Sequence, residues 1–177
     1  DTDRFLPAMP EKLDAFKQGI AFMLTIPGIP QFYYGTELLM NGTKQKGDGY
    51  IRLDVPGGWP GDAVNQFEAS GRTDIQNEAW NYMQKLLKWR KGNEVIAKGK
   101  MKHFVPQNGV YVYARNLNGK QAVVIMNGNA KESVLPLDRY DEILKGYTSG
   151  KDVITGKVVS LQKELTLGAK DVLVLEL

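Results

Sequence analysis

The chain has 177 residues, 42% of them hydrophobic and 24% charged, with a net charge of +3 and no cysteine. This composition is typical of a globular protein with one ordinary domain or two small ones. It excludes a disulfide framework and a thiolate metal site. The single histidine, His103, excludes a conventional Ser-His-Asp triad within these residues. No basic block indicates nucleic acid binding, and no apolar run reaches the roughly 18 residues of a membrane span.

The first predicted helix covers about Glu11–Thr25, where apolar residues recur at helical spacing. Pro27 and Gly28 follow, and glycine is favoured where a chain leaves a helix with positive φ. The apolar run Ile29–Tyr34 comes next and is rich in strand-forming residues. We therefore predict a buried strand there that leads into a functional loop. The open alternative is a core strand with no connection to function.

A long irregular segment, Gly35–Ser70, follows the predicted strand and contains many glycines and prolines. Loops of this length are uncommon in compact domains unless they are functional or disordered. Tyr50, Trp59 and Phe67 argue against disorder, because disordered segments are poor in large apolar residues. The sequence therefore predicts an ordered, functional loop.

The second predicted helix covers Asp74–Lys91, with Asp74 as its cap and basic residues near its end. Short apolar runs separated by Asn- and Gly-rich turns begin after Asn93 and are typical of an antiparallel sandwich or barrel. We predict α/β structure for residues 1–92 and all-β structure for residues 93–177. The predicted strands are 103–105, 110–115, 121–126, 133–135, 153–154, 158–159, 164–167 and 172–177.

The segment Thr25–Glu37 carries a specific pattern: a helix end, then Pro-Gly-Ile-Pro, then an aromatic run ending in Tyr-Tyr-Gly-Thr-Glu. It resembles the region around the eighth barrel strand of the α-amylase superfamily of glycoside hydrolases. The opening residues Asp1-Thr2-Asp3-Arg4-Phe5 resemble the aspartate of the Asn-His-Asp motif and its continuation in the neopullulanase and cyclomaltodextrinase branch. The Gly-Gly-Trp-Pro-Gly run at residues 57–61 resembles neopullulanases of the Bacteroidetes type.

This resemblance implies an α+β multidomain fragment. Residues 1–92 would form the last β/α units of a (β/α)8 TIM barrel, and residues 93–177 would form a C-terminal antiparallel β-sandwich. In such a barrel the active site is assembled from loops at the C-terminal ends of the strands. The long loop after the predicted strand 29–34 would therefore lie at the active site.

The resemblance also implies site residues. Asp1 would be the third catalytic carboxylate, which stabilises the transition state, and Arg4 would contact substrate. Asp48 and Arg52 match an Asp–Arg pair four positions apart in the loop after the eighth strand. The guanidinium fork donates and the carboxylate accepts, so this pair suits sugar hydroxyls.

Tyr50 and Trp59 are expected to offer flat apolar faces to sugar rings. Each expectation has a plain alternative. Asp1 would otherwise be an ordinary terminal carboxylate. Asp48 and Arg52 would form a surface ion pair of little energy, and Trp59 would be a core residue.

The activity implied is retaining hydrolysis of α-1,4-glucosidic bonds in starch, pullulan or cyclodextrins. That reaction needs a nucleophile and an acid/base carboxyl group, which the family places on barrel strands four and five, outside these residues. We therefore expect the 177-residue chain alone to be inactive and its parent protein to be the enzyme. The alternative is a non-catalytic carbohydrate-binding or structural module.

The expected partners are an α-glucan oligosaccharide or polysaccharide and the remainder of the barrel, or further copies of the isolated chain. No nucleic acid and no membrane are expected. No cofactor is evident, and calcium binding by the parent protein is left open. The resemblance favours a periplasmic or extracellular location.

Overall fold

The computed structural model describes residues 3–5 and 13–177. The described residues form two compact units. The first combines the described residues among 1–17 with residues 31–84, and the second combines residues 18–30 with residues 85–177. None of the described helices has the length and apolar character needed to cross a membrane. The predicted boundary between residues 92 and 93 stays a prediction.

Two long helices match the sequence prediction closely. Helix α1 spans Leu13–Thr25 and α3 spans Asp74–Arg90. The predicted start of α1 at Glu11 lies outside the described residues, but its predicted end is confirmed. The N-cap of α3 is Thr73 rather than Asp74. The Thr73 hydroxyl accepts from the Gln76 amide at 3.3 Å, while the Gln76 side chain accepts from the Thr73 amide at 3.0 Å, which is a capping box.

The predicted buried strand Ile29–Tyr34 is wrong. Among the described residues no strand pairs with this segment, and Ile29 is 98% exposed, with Tyr33 and Tyr34 also exposed. An apolar run becomes a strand only where a neighbouring strand satisfies its backbone groups. The turn before it is confirmed, because Gly28 has a φ of +129°.

The long segment after Gly35 contains short helical turns instead of strands. A 3-10 turn at Thr36–Leu38 begins at Gly35, whose φ is +77°. Two further 3-10 turns cover Lys44–Lys46 and Ala69–Gly71, and a one-turn helix, α2, covers Asp48–Ile51. The remaining residues of this segment are irregular.

The second unit is built on two antiparallel sheets. The larger has the strand order β1-β2-β3-β8-β5-β6, and the smaller pairs β4 with β7. The strands are β1 Lys100–His103, β2 Val110–Leu117, β3 Lys120–Asn127, β4 Ser133–Pro136, β5 Ser149–Asp152, β6 Val158–Ser160, β7 Glu164–Leu167 and β8 Val172–Glu176. Two short helices, α4 Glu94–Lys98 and α5 Asp141–Leu144, complete the unit.

Most predicted strands are confirmed within a few residues. The strand predicted at residues 153–154 is wrong, because β5 lies just before it and residues 153–155 form a turn. The Asp152 carboxylate accepts from the Ile154 and Thr155 amides, which fixes that turn. Asn93 caps α4 with its side-chain oxygen, and this helix was not predicted.

Both sheets contribute to one apolar core. Val112 lies opposite Ile125 in the larger sheet, and Leu135 lies opposite Leu165 in the smaller one. All four belong to one cluster of buried side chains, together with residues of α5. The prediction of an antiparallel all-β domain at the C-terminal end is thereby confirmed.

Candidate functional site

The side chain of Arg4 packs between two tyrosines in the first unit. Its Cζ atom lies 4.8 Å from the centre of the Tyr33 ring and 5.0 Å from that of Tyr34. Its Nη1 atom donates to the Tyr34 carbonyl at 2.6 Å. A guanidinium gains from the negative face of an aromatic ring at this distance, so the tyrosines fix its position.

The Nε and Nη2 atoms of Arg4 are buried, and no described residue offers them a hydrogen-bond acceptor. Buried donors are nearly always paired, because an unpaired one loses its hydration without compensation. These two donors therefore keep hydrogen-bonding capacity that the described residues do not use.

Backbone contacts tie the Arg4 segment to the long loop. The Arg4 amide donates to the Gly42 carbonyl at 3.0 Å, and the Asp3 carboxylate accepts from the Lys44 amide at 2.6 Å. The Tyr34 hydroxyl donates to the Leu53 carbonyl at 3.1 Å. Tyr34 therefore connects Arg4 to Leu53, the residue that follows Arg52.

Asp48 and Arg52 lie one helical turn apart at the two ends of α2. Their charged groups approach to 3.8 Å, and both side chains are about half exposed, at 49% and 52%. Spacing of four residues places side chains on one helix face, and the turn that does this here was not predicted. An exposed pair at this distance contributes about 0–1 kcal/mol to stability, and it leaves polar atoms at the surface.

Tyr50 lies on the same turn as this pair and is half buried. The Lys46 ammonium lies 4.7 Å from the centre of its ring. Trp59 is 66% exposed, so the alternative of a core tryptophan is wrong. Among the described residues, no ring contact joins the Trp59 indole to the other predicted site residues.

The backbone at Trp59 is held by Asp62, which the sequence analysis did not single out. The Asp62 carboxylate accepts from the Gly57 amide at 2.6 Å and from the Trp59 amide at 3.0 Å. These hydrogen bonds lower the pKa of Asp62, with the bond from Gly57 contributing most. An aspartate a few residues after a glycine-rich run is the signal that could have found it.

Asp1 lies outside the described residues, so the structure does not place it. Among the described residues, no group of three or more His, Cys, Asp or Glu side chains is arranged to hold a metal ion. In the second unit a groove of about 620 Å³ lies beside Trp89, Glu94, Lys120 and Glu176. None of the five predicted site residues that the structure describes lines that groove.

A family match to known proteins covers most of the strands of the second unit. Residues 101–176 match the family described as the cyclo-malto-dextrinase C-terminal domain. A cyclomaltodextrin glucanotransferase of Thermoanaerobacterium thermosulfurigenes is 32% identical over 145 residues, which cover 77% of this chain and 18% of that protein. An α-amylase of Niallia circulans is 31% identical over 166 residues, covering 88% of this chain and 28% of that protein.

Solved structures share the fold over nearly all residues. The α-amylase of Geobacillus thermoleovorans, crystallised with acarbose, aligns with a TM-score of 0.70 and 20% identity, covering 93% of this chain and 33% of that one. These matches confirm the predicted resemblance: the chain is similar to the C-terminal portion of α-amylase superfamily enzymes. It spans 18% and 28% of the length of the two curated relatives named here.

Proposed function

We propose that this chain is the C-terminal part of a retaining α-glucan hydrolase that cleaves α-1,4-glucosidic bonds. The observation that carries the proposal is the arrangement around Arg4. A guanidinium held by two tyrosines is tied through Tyr34 to the loop that presents Asp48 and Arg52. Such a cluster of fixed donors and acceptors suits a polyhydroxylated substrate.

The relatives favour this substrate class. They are named α-amylase and cyclomaltodextrin glucanotransferase, and a solved α-amylase of the same fold was crystallised with acarbose. We carry α-glucan oligosaccharides over to this chain as its proposed substrates, with starch, pullulan and cyclodextrins as the polymers and rings. The neopullulanase type is proposed from the motifs at residues 1–5 and 48–59.

Asp48 and Arg52 are proposed to bind one sugar ring together. Both side chains are about half exposed, so the pair lies where a ligand at the surface can reach it. A bidentate guanidinium and a carboxylate match two neighbouring hydroxyl groups, and charge-assisted hydrogen bonds are the stronger ones. Arg4, held between Tyr33 and Tyr34, is proposed as a further substrate contact.

Tyr50 and Trp59 are proposed to pack against the apolar faces of sugar rings. Trp59 has the exposure that this role needs, and an aromatic face that is covered by ligand gains from the hydrophobic effect. Asp1 is proposed as the transition-state-stabilising carboxylate in the complete protein. The nucleophile and the acid/base would lie on earlier strands, so the chain alone is expected to be inactive.

Residues 1–92 are proposed to complete a (β/α)8 barrel with the preceding part of the protein. The aromatic run at residues 29–34 supports this, because it has the composition of a barrel strand but lacks a paired neighbour among the described residues. An exposed apolar run of this kind favours association. In the isolated chain the same surface would favour self-association.

The test is the reaction of the full-length gene product with maltoheptaose, followed by proton NMR. The proposal predicts cleavage with the α-anomer of the new reducing end appearing first, because a retaining mechanism keeps the configuration. Asp1→Asn should abolish turnover while the thermal melting curve stays unchanged. Absence of glucan cleavage, or β-anomer appearing first, would contradict the proposal. Tight binding without turnover would favour a carbohydrate-binding module instead.

A further inference from the structure

Trp59 lies in a turn, residues 57–62, that is closed by hydrogen bonds to Asp62. The Asp62 carboxylate accepts from the amides of Gly57 and Trp59, and the Asp62 amide donates to the Trp59 carbonyl at 3.2 Å. Three hydrogen bonds thus connect one aspartate to the backbone on both sides of the Trp59 side chain. The backbone of an exposed tryptophan is seldom held this closely, since loop tips are usually mobile.

The start of this turn admits only glycine. Gly57 has a φ of +109°, which side chains rarely adopt. A Cβ atom there would lie 2.6 Å from the Cα of Asn65 and would overlap the Asn65 amide oxygen. The backbone therefore packs directly against Asn65, which narrows the conformations open to residues 57–62.

The base of the loop is also fixed. The Gln66 amide donates to the Pro56 carbonyl at 2.9 Å, which closes the ring of residues around Trp59. Arg72 donates to the Gln66 carbonyl at 3.0 Å and to the Phe67 carbonyl at 3.2 Å. Its guanidinium lies 4.2 Å from the centre of the Trp80 ring on α3. The loop is thereby connected to a long helix.

The indole itself takes no part in this support. Trp59 is 66% exposed and belongs to no buried cluster of the described residues. A large apolar side chain held at the surface by hydrogen bonds to its own backbone has no apparent benefit for stability. A rigid aromatic surface does benefit ligand binding, because little conformational entropy is lost when the ligand binds to a side chain that is already ordered.

We infer that Asp62 is a positioning residue, which acts through Trp59 to give the protein a preformed stacking surface for a pyranose ring. The inference rests on the proposed sugar-binding role of Trp59 and adds the residue that orders it. Asp62 does not have to touch the sugar. Its role predicts that the effect of losing Asp62 depends entirely on the presence of Trp59.

The test is a double-mutant cycle in the full-length gene product, with KM and kcat for maltoheptaose as the readouts. Trp59→Ala should raise KM about tenfold, which corresponds to roughly 1.4 kcal/mol of binding. Asp62→Ala should raise KM about threefold or more with kcat little changed. Asp62→Asn should retain much of the wild-type affinity, because its amide oxygen can still accept from Gly57 and Trp59.

The double variant decides the matter. We expect Trp59→Ala with Asp62→Ala to have the same KM as Trp59→Ala alone, since positioning has no value without the indole. Glu68→Ala is the matched control: it removes an exposed carboxylate from the same loop and should leave KM unchanged.

Two failures can be told apart. If Trp59→Ala raises KM but Asp62→Ala does not, or if the two effects simply add, the inference about Asp62 is overturned and the sugar site stands. If Trp59→Ala leaves KM unchanged, the proposed role of Trp59 is overturned, and the inference is overturned with it. Melting temperatures of all variants show whether any change in KM reflects unfolding.

Discussion

The hydroxyl groups of Thr25 and Tyr113 lie 2.6 Å apart, and both residues are fully buried in the second unit. Thr25 is the last residue of α1, and its hydroxyl donates to the Ala21 carbonyl at 2.6 Å. Tyr113, on β2, is therefore the donor in the bond between the two hydroxyl groups. Burial raises the pKa of Tyr113, so it keeps its proton across the ordinary pH range.

The effects of removing these two hydroxyl groups should not be independent, because the groups share one hydrogen bond. We expect Tyr113→Phe to lower the free energy of unfolding by about 1 kcal/mol, the net contribution of one hydrogen bond. Thr25→Val should cost about 1–3 kcal/mol, because it leaves the buried tyrosine hydroxyl unpaired. The double variant should lose less than the sum. Urea denaturation measures all three, and strictly additive losses would contradict the hydrogen bond.

Arg115 holds the same end of α1 from a position that is only 2% exposed. It donates to the Thr25 carbonyl at 2.8 Å and, through Nη2, to the Gly99 carbonyl at 2.7 Å. Arg115→Ala would leave both buried acceptors unpaired, and we expect a loss of roughly 3 kcal/mol of unfolding free energy. Lys157→Ala, an exposed control, should change it by less than about 0.5 kcal/mol. Equal effects of the two variants would show that Arg115 does not hold the helix end.

Asn93 caps α4, and its side-chain oxygen accepts from the amides of Val95 and Ile96 at 3.0 and 3.3 Å. Asn93→Ala should reduce the free energy of unfolding by about 1 kcal/mol, the usual value for a lost N-cap. Asn93→Asp keeps the acceptor and should stay close to the wild type. Thermal melts of the two variants check this, and a destabilised Asn93→Asp would contradict the capping role.

The turn at Trp59 should depend on pH through Asp62. Hydrogen bonds lower its pKa in the folded protein, so the stabilisation they provide is present above the ordinary carboxyl pKa near 3.9 and is lost as the pH falls through the lowered value. The amide resonance of Trp59, followed by NMR, should therefore titrate below about pH 3.9. Asp62→Asn should remove that titration. An amide of strand β3, in which every residue after the first is buried, reports whether the whole protein unfolds first.

The sequence predicted best those helices and strands whose pattern of apolar residues can be read from neighbouring positions. Helix α3 and most of the strands were found because apolar periodicity reports which face of an element is buried. The run at residues 29–34 failed for the same reason: periodicity shows that a segment is apolar but not which strand pairs with it. Strand pairing is set by residues far away in the sequence.

Only some features of the candidate site could be predicted from the sequence. Asp48 and Arg52 were singled out by the family resemblance, whereas the helical turn that pairs them was not predicted, because the sequence indicated an irregular loop there. The tyrosines around Arg4 lie some thirty positions away in the chain, so no local pattern reveals them. Asp62 was missed because its role lies in backbone hydrogen bonds, which depend on the path of the loop and not on residue type alone.

The most direct measurement compares two ion pairs of the same spacing in the full-length gene product. Asp48→Ala and Arg52→Ala remove the proposed sugar contacts, while Glu94→Ala and Lys98→Ala remove an exposed i,i+4 pair of the second unit. Neither pair contributes much to stability. We predict that kcat/KM for maltoheptaose falls by roughly tenfold or more for the first two variants, in line with a lost charge-assisted hydrogen bond. For the control variants it should stay within about twofold, since Glu94 and Lys98 are not among the proposed sugar contacts and an exposed pair contributes little to stability. Equal kcat/KM values for all four variants would contradict the sugar site.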